Sequence, residues 1–153
     1  MSFFNSIDLV SMYKFHLHTD KYLDAIYDKK LNLVEYYWKK ATEEITEAEY
    51  RMIVFDITEA VLERVHEGKW RAPNWLLDNR NFLYVMSPKL QRWQAENIFA
   101  KINDIGTKKI AVLTSENVVS QMSIEQSFEE NNYLNIRTQY FYNHEQATDW
   151  LQE

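Results

Sequence analysis

Asp78, Asn79 and Arg80 stand together directly after an apolar run, Trp75-Leu76-Leu77, and Ser87-Pro88 follows a few residues later. An aspartate and an arginine this close can act as a catalytic pair. They can equally be a structural ion pair or turn-forming groups, because Asp and Asn side chains bond to nearby amides wherever a strand runs out into a loop. Ser87 can accept a bond from an orphan N–H at a helix start, where Pro88 fits the first position, and its hydroxyl is also a candidate for phosphorylation. A second pair, Thr114 and Ser115, ends another apolar run, Ile110 to Leu113. His16 and His18 sit at i and i+2 in an alternating stretch and would share the outer face of a strand. With no cysteine in the chain and no obvious third ligand, a solvated face explains the two histidines better than a metal site does.

Other constellations of catalysis are missing from the sequence. The two glycines, Gly68 and Gly106, each read as a helix stop, so neither a Walker loop nor a dinucleotide loop can be built. No G-x-S-x-G elbow occurs. His66 falls near a helix end, where its charge would suit the dipole, and His144 reads as a first-turn surface residue. No cofactor is implied, and an enzyme is not expected.

The elements that must position these residues follow from periodicity and end signals. Tyr13 to His18 alternates as a half-buried strand, and Tyr22 to Tyr27 pairs with Leu31 to Trp38 as a hairpin. Thr46-Glu47-Ala48-Glu49 is a capping box opening a long helix with an apolar stripe from Tyr50 to Val65, stopped at Gly68. The run Trp75 to Leu77 is a central strand, Ser87 to Ile105 a helix, and Ile110 to Leu113 a strand buried on both faces. Asn117 to Asn132 is helical with a break near Ser123; Ile136 to Tyr142 is a strand, and Asn143 caps a closing helix through Leu151. Phe3 and Phe4 are too apolar for a solvated tail and would pack back on the body.

Strands alternating with helices demand a mixed, mainly parallel sheet of about five strands, with the Trp75 and Ile110 strands central and parallel. The fold class is α/β: residues 1–21 form an N-terminal extension with room for an extra strand, and residues 22–153 form the domain. At 153 residues the chain can bury a full core without staples. Lack of cysteine favours the cytoplasm, and no export signal or membrane span is expected.

Eight acids between residues 42 and 67, against Arg51 and Arg64, account for the whole net charge of −6. Nucleic acid is thereby an unsuitable partner, since phosphate binding needs a basic face. Aromatics make up 15% of the chain. Some of Tyr36, Trp38, Trp70, Tyr84 and Phe141 are expected at the surface, which would favour a homodimer.

From about Tyr22 to Leu151 the layout resembles the STAS superfamily, the fold of bacterial anti-sigma-factor antagonists, and most of all its small stand-alone bacterial members. The resemblance rests on Trp75-Leu76-Leu77-Asp78, on Ser87 at a helix start, on Lys109 to Leu113, and on the closing Glu145 to Leu151. It implies a non-enzymatic regulatory or protein-interaction module working through Asp78, Asn79, Arg80, Ser87, Thr114 and Ser115. The antagonists carry an Asp-Ser-Ser-Gly type motif whose serine is phosphorylated; this chain offers Met86-Ser87-Pro88-Lys89, so Ser87 is the residue such a switch would use. The alternative is a carrier of a small apolar or lipid-like ligand. A closed core would favour the module, and a sizeable apolar cavity between helices the carrier.

Overall fold

The alternating first third of the chain forms three antiparallel strands, β1 (Lys14–Thr19), β2 (Leu23–Asp28) and β3 (Leu33–Trp38). Parallel to β3 lie β4 (Asn74–Asp78), β5 (Lys109–Leu113) and β6 (Arg137–Phe141), in the spatial order β1-β2-β3-β4-β5-β6. This computed structural model describes residues 13–115, 117–129 and 135–153. The expected packing of Phe3 and Phe4, and the helix end at 130–132, lie outside the described residues. The sheet has six strands where about five were expected, because the alternating stretch before the hairpin joins it as an edge. The Trp75 and Ile110 strands are interior and parallel, as their apolar runs require.

One strand departs from simple alternation. The β1–β2 register shifts between His16, opposite Ile26, and His18, opposite Ala25. Ile26 and Ala25 point to opposite faces, so the bulge separates the two histidines that alternation had placed together. His18 instead holds Asp20, its Nε2 lying 2.7 Å from Oδ2.

Helix α1 (Glu47–His66) opens with the capping box: Thr46 Oγ1 accepts from Glu49 N at 3.1 Å, and Glu49 Oε1 accepts from Thr46 N at 3.0 Å. After β4, α2 (Pro88–Gln94) runs through a π-helical turn (Ala95–Phe99) into α3 (Ala100–Ile105), which stops at Gly106 with φ 106°. Helix α4 (Val118–Glu129) is continuous, so the expected break at Ser123 does not occur. The Ser123 hydroxyl donates to Ser120 O at 2.8 Å and accepts from Met86 N at 3.2 Å, which ties the helix to the preceding loop without interrupting it. Helix α5 (His144–Leu151) is capped by Asn143 Oδ1, which accepts from Gln146 N. Among the described residues no helix is long and apolar enough to cross a membrane.

Because β3 to β6 step across the sheet in one direction, their three crossovers pack on one face. There Tyr36, Trp38, Trp75 and Val112 meet Tyr50, Ile53, Leu90, Ile102 and Ile124. Among the described residues the opposite face has one helix, α5, whose Ala147 and Leu151 cover Leu33, Leu76, Ala111 and Leu113. The aromatic side chains expected at the surface mostly are not there. Tyr36, Trp38 and Phe141 are buried, Trp70 stacks on Tyr27, and Tyr84 is half-buried beside Tyr50. Trp38 also packs on Tyr50 and Phe82, with centroids 5.5 Å and 5.1 Å away, so its strand position next to the long helix consumes the ring. The large exposed aromatics among the described residues are Tyr13, Phe15 and Tyr142.

Candidate functional site

At the carboxyl end of β4 the chain sends consecutive side chains in opposite directions. Asp78, in phase with Leu76, lies on the α5 face, while Asn79 turns into the helix-covered face beside Tyr36 and Phe82. Arg80 comes back over Asp78: its Nε donates to Oδ1 at 3.0 Å, its Nη2 to Oδ2 at 2.8 Å, and its backbone N to Oδ1 at 3.2 Å. Both non-catalytic readings thus hold together, a bidentate ion pair and an Asp-closed turn.

Asn79 is buried and bonded through its backbone, with N donating to Leu113 O and O accepting from Phe82 N, each at 3.1 Å. Its side-chain Oδ1 has no hydrogen-bond partner. Ser87 Oγ accepts from Leu90 N at 3.1 Å and donates to Glu47 Oε1 at 3.3 Å, joining the starts of α2 and α1. A phosphate on Ser87 would face the Glu47 carboxylate, a like-charge contact that works against seating it there. Thr114 is bonded through its backbone to Phe141 O, and Ser115 Oγ donates to Phe82 O at 2.8 Å.

The six residues therefore do not converge on one point. Asp78 and Arg80 belong to one face and Asn79 to the interior of the other; Ser87 and Ser115 fasten the ends and middle of the 79–87 loop, and Thr114 joins β5 to β6. That loop is held from several sides. Leu83 N donates to Thr42 Oγ1 at 2.9 Å, and Gln91 Nε2 reaches both Met86 O and Ser123 O. Val85, the residue before the amide that bonds Ser123, is 48% exposed; Val119 and Met122, one turn apart on α4 and leading up to Ser123, are 59% and 54% exposed.

A second polar group escaped the sequence reading. Glu35 is buried on the sparsely covered face, where its carboxylate accepts from Tyr37 Oη at 2.8 Å and from Lys14 Nζ at 3.4 Å. Tyr37 Oη lies 3.1 Å from His144 Nε2, which is itself 3.5 Å from Glu35 Oε1. Burial first, and then the Glu35 charge, push the Tyr37 hydroxyl far above its ordinary value. His144 is thus the clasp between α5 and β3, not a free surface residue. Lys109, donating to Trp150 O at 2.8 Å, fastens the other end of α5. The signal was present in β3, where a carboxylate stands at the middle of a strand whose neighbours on both faces are apolar or aromatic. Such a group must recruit donors if it is to stay buried.

Between the sheet and its three crossovers lies a cavity of about 50 Å³, bordered by aromatic rings of β3, β4 and α1 and by Asn79, Met86, Gln94 and Ser127. Gln94 is already engaged, since it accepts from Tyr50 Oη and its Nε2 donates to Ser127 Oγ at 2.8 Å. Among the described residues no group of three or more His, Asp or Glu side chains could hold a metal. No family model, curated protein or solved structure matches the chain.

Proposed function

We propose that the chain is a non-enzymatic regulatory or protein-interaction module of the STAS-like kind, meeting its partner through the 79–87 loop, the start of α2 and the first turns of α4. The observation that carries this reading is the exposed aliphatic set. Val85, Val119 and Met122 are three of the four large aliphatic side chains exposed among the described residues; Val85 precedes Ser87 on a loop fixed by Thr42, Ser115, Ser123 and Gln91, and Val119 and Met122 lie on α4, to which Ser123 ties that loop. An apolar patch on a rigid support suits a partner surface, because little ordering entropy remains to be lost on binding. Ser87 supplies a polar contact on the same loop and Arg80 one from the end of β4, while Asn79, Thr114 and Ser115 keep the loop and strand ends in place.

The carrier reading is less favoured, since a cavity of about 50 Å³ has no room for an acyl chain. A second copy of the chain is the first partner to test. A photo-activated cross-linking residue is placed at Val85 or Met122, with Glu145 on α5 as the control position. We expect the first two positions to yield the same cross-linked species, at twice the chain mass if the partner is another copy, and Val119→Asp to abolish it with thermal stability unchanged. Equal cross-linking from Glu145, or persistence of the species in Val119→Asp, would refute the assigned surface; a monomer mass by light scattering at high concentration refutes the homodimer alone.

A further inference from the structure

Among the described residues three buried side-chain atoms have no hydrogen-bond partner, Arg51 Nε, Ser120 Oγ and Asn79 Oδ1, and of these residues Asn79 borders the cavity. Asn79 is 4% exposed, its Oδ1 has no partner, and it borders the 50 Å³ cavity among aromatic rings. The amide on the same wall is engaged elsewhere: Gln94 accepts from Tyr50 and donates to Ser127. A buried carbonyl oxygen without a donor is costly, on the order of 1–3 kcal/mol, so the site is built to accept one hydrogen bond from something that is not protein. The π-helical turn at Ala95–Phe99 contributes Ile98 and Phe99 to the wall, and single π turns inside α-helices recur at functional sites.

We infer that this cavity binds one small uncharged molecule, no larger than a single ring, whose N–H or O–H donates to Asn79 Oδ1 while its apolar body lies among the aromatic side chains. The limits come from the walls. A charged ligand would lose its hydration against them without a counter-ion, and a chain-like ligand would not fit. A single ring fits once Met86 moves aside. Met86 is unbranched and adaptable, and it reaches the cavity from the loop; the space it would free raises the volume toward the roughly 150 Å³ that accommodates benzene in a protein core. This inference stands apart from the proposed interaction surface, because it rests on the interior and not on Val85, Val119 or Met122.

Phenol and toluene, alike in shape but only one with a donor, are titrated into the intact protein and followed by NMR shifts of the tryptophan indole N–H groups. Phenol should bind with saturable shifts at Trp75 and Trp38, and toluene about tenfold more weakly, the worth of one buried hydrogen bond. Met86→Ala should tighten phenol, and Asn79→Leu should bring phenol down to the level of toluene. Equal binding of the two by the native protein shows that Oδ1 is not the acceptor and overturns the assignment without any variant. So does the absence of saturable shifts with either compound, which leaves ordered water as the donor to Asn79.

Discussion

The two faces of the sheet solve the same burial problem by different means. The face under α1 to α4 is closed by aromatic and aliphatic packing, with Trp38, Tyr50 and Phe82 in mutual ring contact, and it leaves the buried Asn79 Oδ1 without a donor. The face under α5 has, among the described residues, a single helix for cover, yet its most deeply buried carboxylate, Glu35, has three partners from three elements: Lys14, Tyr37 and His144. Generous cover allows a polar group to be left waiting in the core. Scant cover does not, because water would reach the group unless the neighbouring side chains close over it, and each must then be paired.

The largest contrast should appear in truncations on the two sides. Trp38→Ala removes a ring that is 6% exposed and packed on three others, and should cost about 3–5 kcal/mol. Glu35→Ala removes the centre of the polar cluster but leaves Lys14 and His144 with solvent to turn to, their side chains being 34% and 43% exposed, so about 1–3 kcal/mol is expected. Urea unfolding of the two variants measures both values. Equal losses would mean that the polar cluster holds α5 as firmly as the aromatic packing holds α1, and the contrast would break.

Alkaline titration sharpens the same comparison. Burial drives the hydroxyls of Tyr36 and Tyr50 far above the ordinary value of 10.0 on the packed face, and burial with the Glu35 charge does the same for Tyr37 on the other. The native state keeps these protons while the unfolded chain releases them near pH 10. Their stabilisation is therefore complete below pH 10 and declines as pH rises toward the folded-state values, by up to about 1.4 kcal/mol per pH unit for each such group. Tyrosinate absorbance and circular dichroism should change together in one alkaline transition. Tyr37→Phe should make its approach shallower by one proton; if the slope is unchanged, Tyr37 already ionises in the folded protein and the cluster is more open than its hydrogen bonds indicate.

How much of this was legible in the sequence depended on whether the signal was local. The capping box at Thr46, the Ser87-Pro88 helix start and the buried runs at Trp75 and Ile110 are set by neighbours in the chain, and each appears where expected. The misses are tertiary. Alternation could not show the bulge at His16 and His18, since a register shift is defined by the partner strand. The Ser123 hydroxyl looked like a helix start and instead bonds the Met86 amide, which is remote in sequence. Glu35 and His144 are 109 positions apart and meet because the first residue of α5 reaches the carboxylate of β3. Aromatic content suggested exposed rings, but the narrow space between α1 and β3 takes Tyr36, Trp38 and Tyr50 into one core. The polar stretch Asp78 to Arg80 was located correctly at the strand end, while its division between two faces follows from strand pleating carried one residue past β4.

The smallest effect expected is that of Arg80→Ala, and it bears most directly on the binding surface. The guanidinium makes two bonds to Asp78, yet its side chain is 45% exposed, so the pair is weakened by solvent and is worth no more than about 1 kcal/mol. Asp78 keeps the Arg80 backbone N–H as a donor whatever the side chain, so the turn should survive the substitution. Thermal stability should accordingly fall by a few degrees at most. The cross-linked species captured from Val85 and Met122 should be weakened if Arg80 lies at the rim of the contact. Unfolding of Arg80→Ala would make the residue structural, a clamp on the end of β4. An intact fold with undiminished cross-linking would confine the partner to the Val85, Val119 and Met122 patch and leave the Asp78–Arg80 pair with the α5 face, where the geometry of its carboxylate already points.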